Sequence, residues 1–146
     1  MHDVPRQLTV DELAELFEGR TRFVERLAEV GDPLDHAHEL AGTLSDEEKK
    51  EVLDAHPAIG ARGKLSARSA AEQGSEGDPA VLAELAQLNQ SYEEKFGFRF
   101  VVFVNRRPKR EILDVLRARI DRATEAELET ALDELVAIAE DRWVRR

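Results

Sequence analysis

Apolar positions recur along this chain at intervals of three and four, and capping side chains, glycines and prolines cut that rhythm into segments. Leu13, Leu16 and Phe17 share one helical face. Thr9 before them and Glu12 three residues on form a capping box, and Gly19 supplies a stop. Thr21 opens a second helix through Phe23, Val24, Leu27 and Val30, closed by Gly31. Asp32-Pro33 predicts an N-cap followed by proline at the first helical position, starting a short third helix that ends near Gly42. Ser45 with Glu48 is another capping box. The helix it starts carries Val52 and Leu53 and must stop at about His56, because a residue before proline avoids the helical region.

The stretch HPAIGARGK from His56 to Lys64 holds two glycines and a proline, and predicts a loop. Leu65 to Gln73 is Ala-rich and predicts a helix, and GSEGDP after it a second loop. Asp78-Pro79 then starts a longer helix with Leu82, Leu85, Leu88, Tyr92 and Phe96 on one stripe, ended by Gly97. The apolar, aromatic and β-branched run FRFVVFVN, residues 98–105, predicts a buried extended segment. A lone strand makes no sheet. Pro108 starts a helix with Ile112, Val115, Leu116 and Ile120. Thr124 and Glu127 predict the cap of a last helix carrying Leu128, Leu132, Leu135 and Ile138. The expected fold is all-α: a single compact domain over 1–146, with seven to eight helices around one core and one buried extended segment.

Charge narrows the partners. Lys and Arg number 21 against 31 Asp and Glu, a formal net charge of −10, so nucleic acid and anionic membrane surfaces are repelled. No apolar run approaches the ~18 residues of a bilayer span. The first ten residues, MHDVPRQLTV, lack the apolar stretch of a secretory signal, and RWVRR at the end carries no address, which sets a cytoplasmic expectation. Without cysteine, disulfides, thiolate catalysis and thiolate–metal sites are excluded. His36 and His38 point to different faces of a helix and do not chelate together, so no metal site is expected there.

Three sets of positions stand out from a plain helical domain. His56 sits directly before a proline in a loop; it is either a solvated or capping histidine or a group that exchanges protons near neutral pH. Ser69, Glu72 and Gln73, spaced i, i+3, i+4, share a polar face among Ala67, Ala70 and Ala71, which is either ordinary surface or the wall of a pocket. Arg142 continues the stripe Leu128, Leu132, Leu135, Ile138. Its guanidinium either reaches water at the rim of the domain or meets a partner in a pocket.

HPAIG at 56–60, SAAEQ at 69–73, LNQSYEEKFGFRFVVFV at 88–104 and RRPKREIL at 106–113 together resemble the 2-oxo-4-hydroxy-4-carboxy-5-ureidoimidazoline (OHCU) decarboxylases, over about Leu8 to Trp143. The resemblance implies an all-α, commonly dimeric enzyme without cofactor or metal that forms (S)-allantoin in the last step of urate degradation. It implies catalytic roles for His56 and Glu72 and a substrate pocket holding Pro57, Ser69, Gln73 and Arg142. Backbone groups around Phe100 and Val102 are expected to face the ureidoimidazoline substrate. Three positions depart from the family pattern: Glu18 is followed by Gly-Arg-Thr-Arg-Phe where a Ser-Pro-Trp is usual, Ala58-Ile59 replaces Asp-Leu after the histidine and proline, and Arg106 replaces a glycine. A competing expectation is a non-catalytic ureide or purine-intermediate binding module of the same fold. An intact His56 and Glu72 pair speaks for retained chemistry, because binding alone needs no acid/base pair.

Overall fold

A computed structural model describes residues 7–56 and 79–145. Among them are seven helices: α1 (Val10–Phe17), α2 (Arg22–Leu27), α3 (Ala37–Gly42), α4 (Asp46–Asp54), α5 (Pro79–Phe96), α6 (Lys109–Arg119) and α7 (Thr124–Arg145). No strand occurs among the described residues, so the fold is all-α as expected. The expected helix from Leu65 to Gln73 lies outside the described residues.

Two N-termini form as their sequence dictates. The Thr9 and Ser45 side chains accept from the N–H groups of Glu12 and Glu48, and both glutamates reach back to the cap N–H. Thr21 caps α2 by accepting from the Val24 N–H. The departure Thr-Arg-Phe is therefore a helix start: a hydroxyl cap, a residue in the first turn, and a buried aromatic. Phe23 packs edge-on against Phe17 with ring centroids 5.3 Å apart.

Two boundaries differ from expectation. Asp32 has φ 50°, so it does not cap α3. The chain instead makes turns, with Asp35 and His36 N–H groups donating to the carbonyls of Asp32 and Pro33, and α3 begins only at Ala37. Glu127 does not serve a capping box at the start of α7, because its carboxylate is fully buried among other partners.

The long α7 organises one layer, with α1, α3 and α4 packed along it and α2 against α1, α3 and α4. Helices α5 and α6 pack on each other. Between them runs the extended segment Phe98–Val104, whose Phe98, Phe100, Val101, Val102 and Val104 are buried. Phe98 and Phe100 meet the Tyr92 ring at 5.8 and 5.2 Å, both edge-to-face, which ties the segment to α5.

Candidate active site

The ends of α1 and α4, the last turns of α7 and the start of the extended segment converge around His56. Helix α1 ends with Glu18 in the left-handed region, φ 67°, and with the Gly19 N–H donating 3.0 Å to the Ala14 carbonyl. That bond leaves the carbonyls of Glu15 and Leu16 in need of donors. Arg142 from α7 supplies them: Nη1 donates to the Leu16 carbonyl at 2.9 Å and the Glu15 carbonyl at 3.5 Å. Its Nη2 pairs with Glu18 Oε1 at 3.1 Å. Arg142 is 2% exposed, so the reading of a solvated head at the rim does not hold. A cation at a helix C-terminus is favourable in itself, since the helix dipole is negative there.

Gly19 lies against α4: a methyl built on it would stand 3.3 Å from Ala55 Cβ. The bare backbone lets the end of α1 sit beside Ala55 and its neighbour His56. The histidine is 5% exposed, and its Nε2 is buried with no hydrogen-bond partner among the described residues. Burial pushes its pKa down to about 4, the Arg142 and Arg99 charges add to this, and the Glu18 carboxylate opposes them. At neutral pH His56 is therefore an uncharged imidazole. A buried polar atom without a partner is costly in a purely structural position and suits one that meets a ligand.

Arg99 joins this end of α4 to the extended segment. Its N–H donates to Asp54 Oδ1 at 2.9 Å, its Nη1 donates to the His56 carbonyl, and its Nε pairs with Glu93 Oε2 at 3.2 Å. Further along, Val101 O accepts from Arg119 Nη1 at 2.8 Å and Phe103 N–H donates to Glu134 Oε1 at 3.1 Å. Phe103 O accepts from Arg107 Nη2 at 2.6 Å. The backbone groups of residues 99, 101 and 103 are thus engaged by side chains. Those of Phe100 and Val102 make no hydrogen bond among the described residues. Alternate residues of an extended chain direct N–H and C=O to opposite edges. One edge of this segment is tied down at Arg99, Val101 and Phe103, and among the described residues the other is left without hydrogen bonds at Phe100 and Val102.

His56, Arg142, Phe100 and Val102 are the expected site residues that lie among the described ones. Pro57, Ser69, Glu72 and Gln73 lie outside them. Sequence reasoning gave no role to Arg99, and it noted Glu18 only as the residue before the altered Ser-Pro-Trp position. The signal for Glu18 was its place directly before Gly19 at a helix end. Among the described residues no group of three or more His, Asp or Glu side chains is placed to hold a metal. His38 Nδ1 instead meets Asp133 Oδ1 at 3.1 Å, and His36 stands 3.9 Å from Glu39.

Comparison with known proteins places the chain in a family. The family profile described as OHCU decarboxylase matches residues 2–144. A protein of Haloferax volcanii named 2-oxo-4-hydroxy-4-carboxy-5-ureidoimidazoline decarboxylase is 33% identical, over 94% of this chain and 88% of its own length. The chain belongs to the OHCU decarboxylase family. A uric acid degradation bifunctional protein of Bacillus subtilis is 28% identical over 97% of this chain, which spans 31% of that protein. A crystal structure of OHCU decarboxylase in the presence of (S)-allantoin shares the fold, with a TM-score of 0.76 and 24% identity, over 92% of this chain and 96% of that one.

Proposed function

We propose that this OHCU decarboxylase family member converts 2-oxo-4-hydroxy-4-carboxy-5-ureidoimidazoline to (S)-allantoin in urate degradation, with His56 as its acid/base group. The observation that carries the assignment is the uncharged, buried imidazole whose Nε2 has no hydrogen-bond partner among the described residues.

The chemistry needs little from outside the substrate. The bond from the ring to the carboxylate breaks and releases carbon dioxide. Its electron pair enters the neighbouring ring imine, with charge spread toward the 2-oxo group. The ring nitrogen and the carbon bearing the ureido group each then take up a proton; one comes from the hydroxyl on the decarboxylated carbon, which becomes a carbonyl, and the other from water. An uncharged His56 can accept that hydroxyl proton. A bound carboxylate substrate beside the imidazole raises its proton affinity toward neutrality, offsetting the push from burial. Arg142 places positive charge beside the reacting carboxylate while its own fork holds the end of α1. The open edge at Phe100 and Val102 offers N–H and C=O groups that match the amide-like faces of the imidazolone and ureido groups. Glu72 orients the histidine or anchors the substrate, with Pro57, Ser69 and Gln73 completing the pocket.

The same reading includes a homodimer in the cytoplasm and activity without added metal or cofactor. Light scattering tests the first, and a chelator-treated protein of unchanged rate is expected for the last. The direct test couples urate oxidase and hydroxyisourate hydrolase to the purified protein. Optically active allantoin is expected to appear faster than in the uncatalysed control. His56→Asn is expected to lower turnover about 10²–10⁴-fold, the usual contribution of a general acid–base group. A folded His56→Asn protein within a few-fold of the parent rate would return His56 to a structural role.

A further inference from the structure

Resting on that reading, we infer that Arg119 is a positioning residue: with Glu127 it sets the extended segment so that the open backbone edge at Phe100 and Val102 faces the substrate.

Three contacts on one guanidinium support this. Arg119 Nη1 donates to the Val101 carbonyl at 2.8 Å, its plane lies over the Phe100 ring at 4.7 Å, and its Nε pairs with Glu127 Oε1 at 2.8 Å. The first two grip consecutive residues of the segment, one through the backbone and one through the ring. The third fixes the guanidinium itself. Arg119 is 6% exposed and Glu127 is 0%, so the pair has no solvent to rearrange in. Glu127 is held in turn by the Tyr92 hydroxyl, which donates to Oε1, and by Arg122 Nη1 at 2.9 Å on Oε2. Tyr92 also packs against Phe100.

The arrangement resembles the neighbour strand of a sheet in what it does for one edge. A strand without a partner has no ladder to fix its register, and a shift by one residue exchanges its two edges. Here the tied edge is held by side chains from α4, α6 and α7 and by Arg107 where a neighbouring strand would normally stand. Burying a salt bridge is an expensive way to stabilise a helical core, since apolar residues of similar volume do as well. Its value at this place is the fixed direction of two donors, Nε toward Glu127 and Nη1 toward the Val101 carbonyl.

The inference separates from a merely structural role by experiment. Lysine at position 119 can reach the Val101 carbonyl or Glu127 but cannot hold both in fork geometry. Arg119→Lys and Glu127→Gln are compared with Val24→Ala, a truncation of a buried side chain in α2, which packs on α1, α3 and α4. Steady-state kinetics and amide hydrogen exchange over residues 98–104 are measured on all four proteins. Arg119→Lys is expected to raise KM about tenfold, the loss of one charge-assisted bond, with the pH midpoint of kcat unchanged. Glu127→Gln is expected to change KM in the same direction by less, and exchange in 98–104 to accelerate in both but not in Val24→Ala. Parent-like KM and exchange in the folded variants, or the same changes in Val24→Ala, would overturn the inference. A parent protein that forms no (S)-allantoin would instead sink the proposed function, and the exchange comparison would still decide whether Arg119 sets the segment.

Discussion

His56 carries a thermodynamic signature that can be measured without substrate. The unfolded chain protonates this histidine near its ordinary value of 6.5, whereas the folded chain does so only near 4. Between these values the unfolded state binds more protons, so stability falls as pH drops from 6.5 toward 4 and levels off below. The full effect is about 3 kcal/mol. Urea denaturation of the parent and His56→Asn across that window is expected to show this slope in the parent and its loss in the variant. A parallel decline in both would assign the slope to carboxylates. Arg106 makes a second residue-scale case. It has φ 63° and an exposed side chain, so it holds a conformation that glycine adopts without strain, and the family's usual glycine there has a backbone reason. Arg106→Gly is expected to raise stability by about 0.5–1 kcal/mol with unchanged kcat, read from the thermal midpoint. Of the site's residues, His56 was visible through its place before a proline and Arg142 through its place on an apolar stripe. Arg99 and Arg119 were not, because their partners His56 and Val101 lie 43 and 18 residues away and nothing local marks such contacts.

At the scale of elements, capping chemistry carried most of the prediction. Thr9, Thr21 and Ser45 cap as their sequences indicate, since each bond closes within three residues. The buried extended segment was also legible, from six apolar residues in eight, yet its asymmetry was not, because the tied edge is made by α4, α6, α7 and Arg107 together. Asp32 and Glu127 failed for a shared reason: a local motif was outbid, by a left-handed turn in one case and by buried arginine and tyrosine partners in the other. The close approach of α1 to α4 can be tested directly. Gly19→Ala places a methyl 3.3 Å from Ala55 Cβ, so the end of α1 or the end of α4 must give by a few tenths of an ångström. The displaced residue adjoins His56. A stability loss of about 1 kcal/mol is expected, together with a fall in kcat larger than any change in KM. A variant with parent-like kcat would show that the α1–α4 contact does not position the histidine.

For the whole molecule, Arg142 links the packing of α7 on α1 to the chemistry beside His56, and its replacement by lysine reads both at once. The guanidinium uses Nη1 for the carbonyls that end α1 and Nη2 for Glu18, while its charge acts on the imidazole. Lysine keeps the charge but offers a compact ammonium on a flexible stem, which cannot serve the Leu16 carbonyl and Glu18 in the same geometry. One partner is left buried without its donor, a cost of about 1–3 kcal/mol, or roughly 3–9 °C in thermal midpoint for a chain of this size. The positive charge beside the substrate survives, but its position does not. If Arg142 serves only to join helices, kcat/KM at 25 °C falls no further than the folded fraction. If its placed charge also stabilises the reacting carboxylate, kcat/KM falls about ten- to a hundred-fold in protein that is still fully folded. Thermal melts and kinetics on the same preparation separate these cases, and the second is expected: the arginine is buried and its charge acts on His56, whose Nε2 has no partner among the described residues, so an imprecisely held charge there is poorly replaced by water.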